Sequence, residues 1–334
     1  MNRRASRGER SMPMNQLTQG EVSSSGRLVP WTSQPNRRDA YGVIHSGLDH
    51  LFSLHRNGDW GAHSGSETTW TTAYVLARLA ELPGKLLSHS RLQDIKNSLD
   101  WLLQVQDNGM WRESNEPDCL TTALAVITLR AYGRNIPMGA LSFLDACRTE
   151  DGSFASFPGK ERATDRCTAL AITATACKAL EWVHPQTEEF LSRWMRCALP
   201  IQGEPSLAGP YVCSEILDWP SGLASMAVLN KASQLTCQVD PDNAYGQALL
   251  LRSLLELRIS RSWAVAARLR EMQTQDGSWG QTRRPDKRQF DAATALTCSA
   301  NEAVTSVTVI SALVMAESQP GLYFGSDLPL PQRF

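Results

Sequence analysis

Residues 99–132 read LDWLLQVQDNGMWRESNEPDCLTTALAVITLRAY, and this stretch decides the fold. Its first part, LDWLLQVQ at 99–106, carries apolar residues at i, i+3 and i+4, the stripe of an amphipathic helix. Its last part, LTTALAVITLRAY at 120–132, is nearly free of charge. A helix there is apolar on almost every face and must be buried all round. Between them lies DNGMW at 107–111, with Gly109 where a helix C-cap needs a left-handed residue. An amphipathic helix, a glycine turn and an apolar helix together make one hairpin.

The turn phrase recurs as NGDWG at 57–61, EDGSF at 150–154 and QDGSWG at 275–280. Weakly charged helical stretches recur with it, TTAYVLARLAEL at 71–82, CTALAITATACKAL at 167–180 and VTSVTVISALVMA at 304–316, while VAARLREMQ at 265–273 repeats the amphipathic type. Gly58, Gly109, Gly152 and Gly277 are 51, 43 and 125 residues apart. The last interval is close to three of the shorter ones, which predicts two degenerate repeats inside it. About six hairpins of roughly 45 residues follow, enough to close a ring. The expected fold is all-α: a single α/α-barrel with an apolar inner ring and an amphipathic outer ring. Irregular sequence at 200–222 and 281–302 reads as long connections covering one mouth.

The chain has 334 residues, 42% hydrophobic and 20% charged, enough apolar material for one large core. Its net charge of −1 lacks the electrostatic footprint of a nucleic-acid binder. Eight cysteines, at 119, 147, 167, 177, 197, 213, 237 and 298, form no C-x-x-C pair and read as small buried residues in a reducing compartment. No run of 18 uncharged apolar residues occurs, and MNRRASRGERSMPMNQ at the N-terminus has no apolar stretch behind its charges. The expectation is a cytoplasmic protein. Residues 1–38 read as a disordered tail whose Arg3, Arg4, Arg7 and Arg10 offer a peripheral contact to an anionic membrane surface. Residues 39–320 are expected to form the barrel and 321–334 a C-terminal tail. No Gly-rich phosphate loop or HExxH sequence is present, and no organic cofactor is expected.

The turn phrases resemble the QW repeats of squalene-hopene cyclases, oxidosqualene cyclases and class II diterpene cyclases, where an outer-helix Gln precedes Gly-x-Trp. Gln104 or Gln106 stands with Gly109 and Trp111, and Gln273 or Gln275 with Gly277 and Trp279. Trp60 lacks the upstream Gln, and Phe154 replaces Trp in the third repeat. The resemblance covers nearly the whole chain after residue 40 and implies the toroid of the terpenoid-cyclase and protein-prenyltransferase superfamily. Trp60, Trp111, Phe154 and Trp279 are read as architectural, with a Trp and a Gln amide tying one outer helix to the next.

In the class II cyclases so resembled, the middle Asp of a DxDDTA-like motif at an inner-helix start protonates an alkene or epoxide, from an apolar cavity that keeps the acid neutral. With the inner-helix Thr as register, the middle position lies two residues earlier. It is Trp70 before Thr72, Leu120 before Thr122, Arg166 before Thr168 and Ala292 before Thr294, and none is an acid. Asp240-Pro241-Asp242-Asn243-Ala244 is the nearest approach, with Asp242 as proton donor and Asp240 as its companion; D-P-D-N is equally an ordinary helix start. Asp118, Asp165 and Glu67 lie near other inner starts and read as helix caps or first-turn charges. Asp118 and Asp165 are also candidate acids or bases of a different reaction.

A cationic intermediate needs aromatic faces in a dry site, which singles out Trp70, Tyr74, Tyr211, Trp219 and Tyr245, with Glu67 beside them, as substrate-binding residues. Trp70 and Tyr74 are four apart and share a helix face. Protein prenyltransferases hold zinc through Asp-x-Cys and a distant His. Asp145, Cys147 and His184 have that spacing, but Asp145 and Cys147 close an outer helix, and no metal is expected. His45, His50 and His55 are spaced by five, which scatters them around a helix. The expected function is a class II terpene-cyclase-like enzyme, its partner a linear isoprenoid or similar apolar chain. The alternatives are a non-catalytic hydrophobic-ligand-binding barrel and another reaction of specialised metabolism in the same cavity.

Overall fold

The repeated glycines sit beyond the helix ends, inside tight turns, in the computed structural model of the chain. Asn108 and Gly109 have φ of 53° and 84°, and Asp107 and Met110 exchange backbone hydrogen bonds of 3.0 and 2.9 Å across them. Asn57 and Gly58 repeat this arrangement. Both are two-residue turns with two left-handed positions, for which Asn-Gly is the favoured pair. In the other two repeats the turn is one residue longer. Thr149 N bonds Ser153 O at 2.9 Å and Thr274 N bonds Ser278 O at 2.8 Å, and the carboxylates of Asp151 and Asp276 accept from the flanking Thr hydroxyl and Ser N–H. The C-cap expectation for Gly109 is therefore corrected: that helix is capped by Val105 in the right-handed region, four residues earlier.

The structure describes residues 37–61, 68–113, 116–159, 166–194, 208–220, 223, 225, 243–259, 262–279 and 302–319. Within them the helices are α1 Arg37–Ser53, α2 Thr68–Leu79, α3 His89–Gln104, α4 Cys119–Ala131, α5 Met138–Ala146, α6 Arg166–Leu180, α7 Pro185–Trp194, α8 Ala208–Leu217, α9 Ala244–Glu256, α10 Ser262–Glu271 and α11 Glu302–Ser318. A two-residue ribbon, β1 Arg112–Glu113 against β2 Glu116–Pro117, leads from the second turn into α4. No helix among the described residues is long and apolar enough to cross a membrane.

Two recurring bonds join the turns to their hairpins, and the Trp60 and Trp111 turns carry both. The Trp60, Trp111 and Trp279 indoles donate to the carbonyls of Leu51, Leu102 and Leu269 at 3.0, 2.7 and 2.6 Å, placing a side-chain donor on the last turn of the preceding outer helix. The backbone N–H of Trp60, Trp111 and Phe154 donates to the hydroxyl of Thr72, Thr122 and Thr173 at 3.1, 3.1 and 3.0 Å. The turn also packs on the next outer helix. A Cβ on Gly152 would lie 2.4 Å from the Gln186 carbonyl carbon in α7, a separation real Cβ atoms essentially never show. At the last repeat Gly277 abuts Ser46 and the Gln273 amide donates to Val43 O at 2.9 Å, which closes the outer layer from α10 back to α1.

Helices α2, α4, α6, α8, α9 and α11 pack each against the next, and α11 packs back on α2, so they close a ring. Helices α1, α3, α5, α7 and α10 lie outside it. The inner helices of the ring are buried almost throughout, as in α4 and α11, because both faces meet protein.

Two expectations change. The stretch 200–222 is not one irregular connection, because Ala208–Leu217 form α8, a full member of the inner ring. Its Gly209-Pro210 pair reads as a breaker, yet Pro210 is the third residue of the helix, where its missing N–H costs no intrahelical bond. In α6 the Thr that meets the turn is Thr173, not Thr168. The position two residues earlier is then Ala171 in place of Arg166.

Candidate functional site

One stripe of α2 and one of α8 turn toward the ring axis. On α2 the stripe runs Trp70, Tyr74, Arg78; on α8 it runs Tyr211, Glu215 and continues to Asp218 just past the helix end, spacings of three and four that stay on one face. Helices α2 and α8 stand opposite each other in the ring, yet Arg78 bonds Glu215 and lies 3.4 Å from Asp218. Side chains that meet from opposite helices occupy the axis.

At the end where the inner helices finish, the axis is filled by charge. Arg78 binds Glu81 at 2.8 Å as well as Glu215, Lys178 binds Asp218, and Arg252 binds Glu81 at 2.6 Å and the Ser311 hydroxyl. Three cations face three carboxylates there. Burial opposes ionisation of Glu81, but Arg252 and Arg78 outweigh it and hold that carboxyl well below the usual range. Burial opposes ionisation of Asp218 too, and Lys178 and Arg252 hold it low. The expected apolar inner ring is thus ionic at this end.

Nearer the helix starts the axis is phenolic and aromatic. The Tyr74 hydroxyl meets Thr308 of α11 at 3.1 Å, and the Tyr211 hydroxyl meets Thr175 of α6 at 3.1 Å. Tyr245 on α9 interacts with Tyr74 on α2 and with Tyr211 on the neighbouring α8, and burial pushes the Tyr211 and Tyr245 phenols well above their ordinary range. Trp70 stacks on Tyr74 at 5.4 Å with 21° between planes, and the Arg78 guanidinium lies 5.1 Å from the Tyr74 ring. Four of the aromatic side chains singled out in the sequence, Trp70, Tyr74, Tyr211 and Tyr245, therefore come together. Trp219 instead ties α8 to α6, its indole donating to Ala174 O at 3.1 Å.

The acids separate. Asp118 N-caps α4, its carboxylate accepting from the Thr121 N–H and hydroxyl, each at 2.8 Å. Burial pushes its carboxyl up, against the pull of those hydrogen bonds. Asn243 caps α9 through Gly246 N at 2.9 Å, so Asp242 immediately precedes an inner-helix start. Asp240, Asp242, Asp165 and Glu67 themselves lie outside the described residues. At the three starts with a described register Thr, the residue two earlier is Trp70, Leu120 or Ala171, none an acid.

For metal binding, Asp145 pairs with Arg148 at 3.5 Å, Cys147 is buried beside Cys119, and His184 accepts from Gln186 N, three different engagements. His50, Asp276 and Glu302 do bring ligand-type atoms within 4.8 Å of one another among the described residues, with His50 Nε2 3.0 Å from Glu302. They join α1, the last turn and the start of α11, away from the axial phenols. The sequence carried no signal for this trio or for the ionic end, because their members are far apart in the chain.

No family model matches the sequence, and no curated protein matches it. Among solved structures the chain is similar to the type II terpene cyclase MstE from Scytonema in its apo form, with a TM-score of 0.61 and 18% identity over 84% of this chain and 99% of that one. It is also similar to a protein from Actinoplanes, with a TM-score of 0.60 and 18% identity over 83% of this chain and 99% of the other. The likeness is one of fold: a terpenoid-cyclase-like, all-helical architecture.

Proposed function

We propose that the chain is a terpene-cyclase-like enzyme that starts cyclisation of a linear isoprenoid, or a similar apolar chain, by protonating it. The observation that carries this reading is the convergence of Trp70, Tyr74, Tyr211 and Tyr245 on the axis of a helical ring whose far end is sealed by ion pairs. Aromatic faces in a desolvated interior attract a carbocation. The likeness of fold to a type II terpene cyclase supports the same reading.

In the proposed reaction the O–H bond of a carboxylic acid breaks as a C–H bond forms on an alkene carbon. The resulting cation is attacked by further double bonds, and loss of a proton from the cyclised cation balances the one taken up. Asp242, with Asp240 as companion, is the proposed donor, since it immediately precedes the cap of inner helix α9. Asp118 is the alternative donor because its carboxyl is held toward the neutral form; Asp165 is the other. The barrel is proposed to span residues 39–320 in a cytoplasmic protein, with Arg3, Arg4, Arg7 and Arg10 meeting a membrane that supplies the substrate.

A second reading, a non-catalytic hydrophobic-ligand-binding barrel, is favoured by Trp70, Leu120 and Ala171 at the acid's register position. The two separate on incubation with linear prenyl diphosphates and squalene, with product analysis and binding measured together. Cyclised product that disappears in Asp242→Asn supports the first reading and its donor. Product that survives there and disappears in Asp118→Asn moves the donor to Asp118. Binding without product selects the second reading, and neither binding nor product removes both.

A further inference from the structure

Closure of the ring brings three ligand-type side chains from distant parts of the chain to one point. Gly277 and Trp279 of the last turn pack on α1, where a Cβ on Gly47 would lie 2.6 Å from the Trp279 ring. His50 stands one helical turn beyond Ser46, which Gly277 touches, so it shares that face of α1. Glu302, the first residue of α11, reaches it from the inner ring. One ligand-type atom from each of His50, Asp276 and Glu302 lies within 4.8 Å of the other two. The His50 side chain is only 11% exposed, and its Nε2 is buried without a hydrogen bond among the described residues. Glu302 Oε1 stands 3.0 Å away, off the direction of a ring N–H. A buried nitrogen in that state carries a desolvation cost that a bound ion relieves.

We infer that His50, Asp276 and Glu302 bind a divalent first-row transition-metal ion, a structural clasp joining the first outer helix to the last hairpin. The site takes no part in the reaction proposed above and shares no residue with Asp145, Cys147 and His184. Two carboxylates balance the charge of a divalent ion. The imidazole selects a transition metal over Mg2+ or Ca2+, which take oxygen ligands. Two ligands about 2.1 Å from one ion and at right angles to each other stand about 3.0 Å apart, and His50 Nε2 and Glu302 Oε1 have that separation. Asp276 is oriented by its own turn, where its Oδ1 accepts from the Thr274 hydroxyl and the Ser278 N–H. Those bonds hold its carboxyl ionised, down at about 2. A carboxylate offers about four lone-pair sites, so it serves both the turn and an ion. With three protein ligands, water completes the shell. The clasp ties α11, whose Thr308 and Ser311 meet Tyr74 and Arg252 on the axis, to the outer layer.

The test titrates the full chain, stripped with EDTA and dialysed, with Co2+ and with Mg2+, followed by calorimetry, the electronic spectrum and the melting temperature. The expected result is one Co2+ per chain, weak visible bands without the intense near-ultraviolet band of a cysteine thiolate ligand, and a raised melting temperature. Mg2+ at the same concentration should produce no binding and no shift in melting. His50→Gln and Glu302→Gln each remove one ligand and should weaken Co2+ binding at least about tenfold, with the melting shift lost. The two variants lie on separate helices, so if one fails to fold the other decides. No Co2+ bound at millimolar concentration, a thiolate band, or Mg2+ bound as tightly as Co2+ overturns the site. Undiminished Co2+ binding by a folded variant overturns it as well, and leaves His50 and Glu302 as an ordinary ion pair.

Discussion

The guanidinium of Arg78 on α2 and the carboxylate of Glu215 on α8 meet across the width of the inner ring, 137 residues apart in the chain. Their side chains are only 3% and 2% exposed, and both belong to the group of three cations and three carboxylates that fills the axis. Burial cancels much of the Coulomb gain of a pair so placed, while a lone partner would be left as an uncompensated buried charge.

Removing one partner leaves the other buried and uncompensated. Glu215→Gln is expected to cost about 3–5 kcal/mol in urea unfolding. The double variant Arg78→Met with Glu215→Leu removes one charge of each sign and is expected to recover most of that loss. A double variant as unstable as the single would show that the charges themselves hold the ring.

Thr173 is expected to anchor the third turn. Thr173→Val leaves the Phe154 N–H without its acceptor and costs about 1–3 kcal/mol, whereas Thr173→Ser keeps the hydroxyl and most of the stability. Hydrogen exchange of the Phe154 amide should accelerate in the valine variant and stay slow in the serine variant.

Gly152 and Gly133 both have positive φ, 83° and 62°, but only Gly152 has backbone packed against it. Gly133→Ala should cost about 1 kcal/mol for its left-handed backbone. Gly152→Ala should cost at least about 2 kcal/mol more, because α7 must move away. Thermal melts of the two variants side by side measure the difference; equal losses would mean that the turn does not bear on α7.

Asp118 gives a pH signature. Its folded-state titration lies above the unfolded value of 3.8, so its contribution to stability is complete below 3.8 and is lost as pH rises through the folded value. Asp118→Asn keeps an acceptor for Thr121 N–H and removes the titration. The variant should match wild type below pH 3.8 and be the more stable protein at pH 7. Melting curves at the two pH values check this, and a wild type more stable at pH 7 would contradict the buried carboxyl.

The hairpin repeat was legible because its signals are local. An Asn-Gly or Asp-Gly pair meets a left-handed turn within a few residues, and helical periodicity needs only a dozen. The turn phrases, the inner helices α2, α4, α6 and α11, and the pairing of Trp70 with Tyr74 all belong to this class. Local signals failed at α8, where Gly209-Pro210 resembles a break but falls in a first turn, and at α6, where two Thr-Ala pairs five residues apart offer two registers.

The sequence by itself determined the repeating unit and the aromatic residues near the inner-helix starts. Ring closure alone decided which side chains face one another across the axis. Arg78 finds Glu215, Arg252 finds Glu81, and Tyr245 meets Tyr74 only because α2, α8 and α9 are brought to one axis by helices between them. Which way the Tyr74 and Tyr211 protons point depends on where Thr308 and Thr175, on other helices, send their own. Such facts are properties of packed neighbours, and no spacing along the chain encodes them.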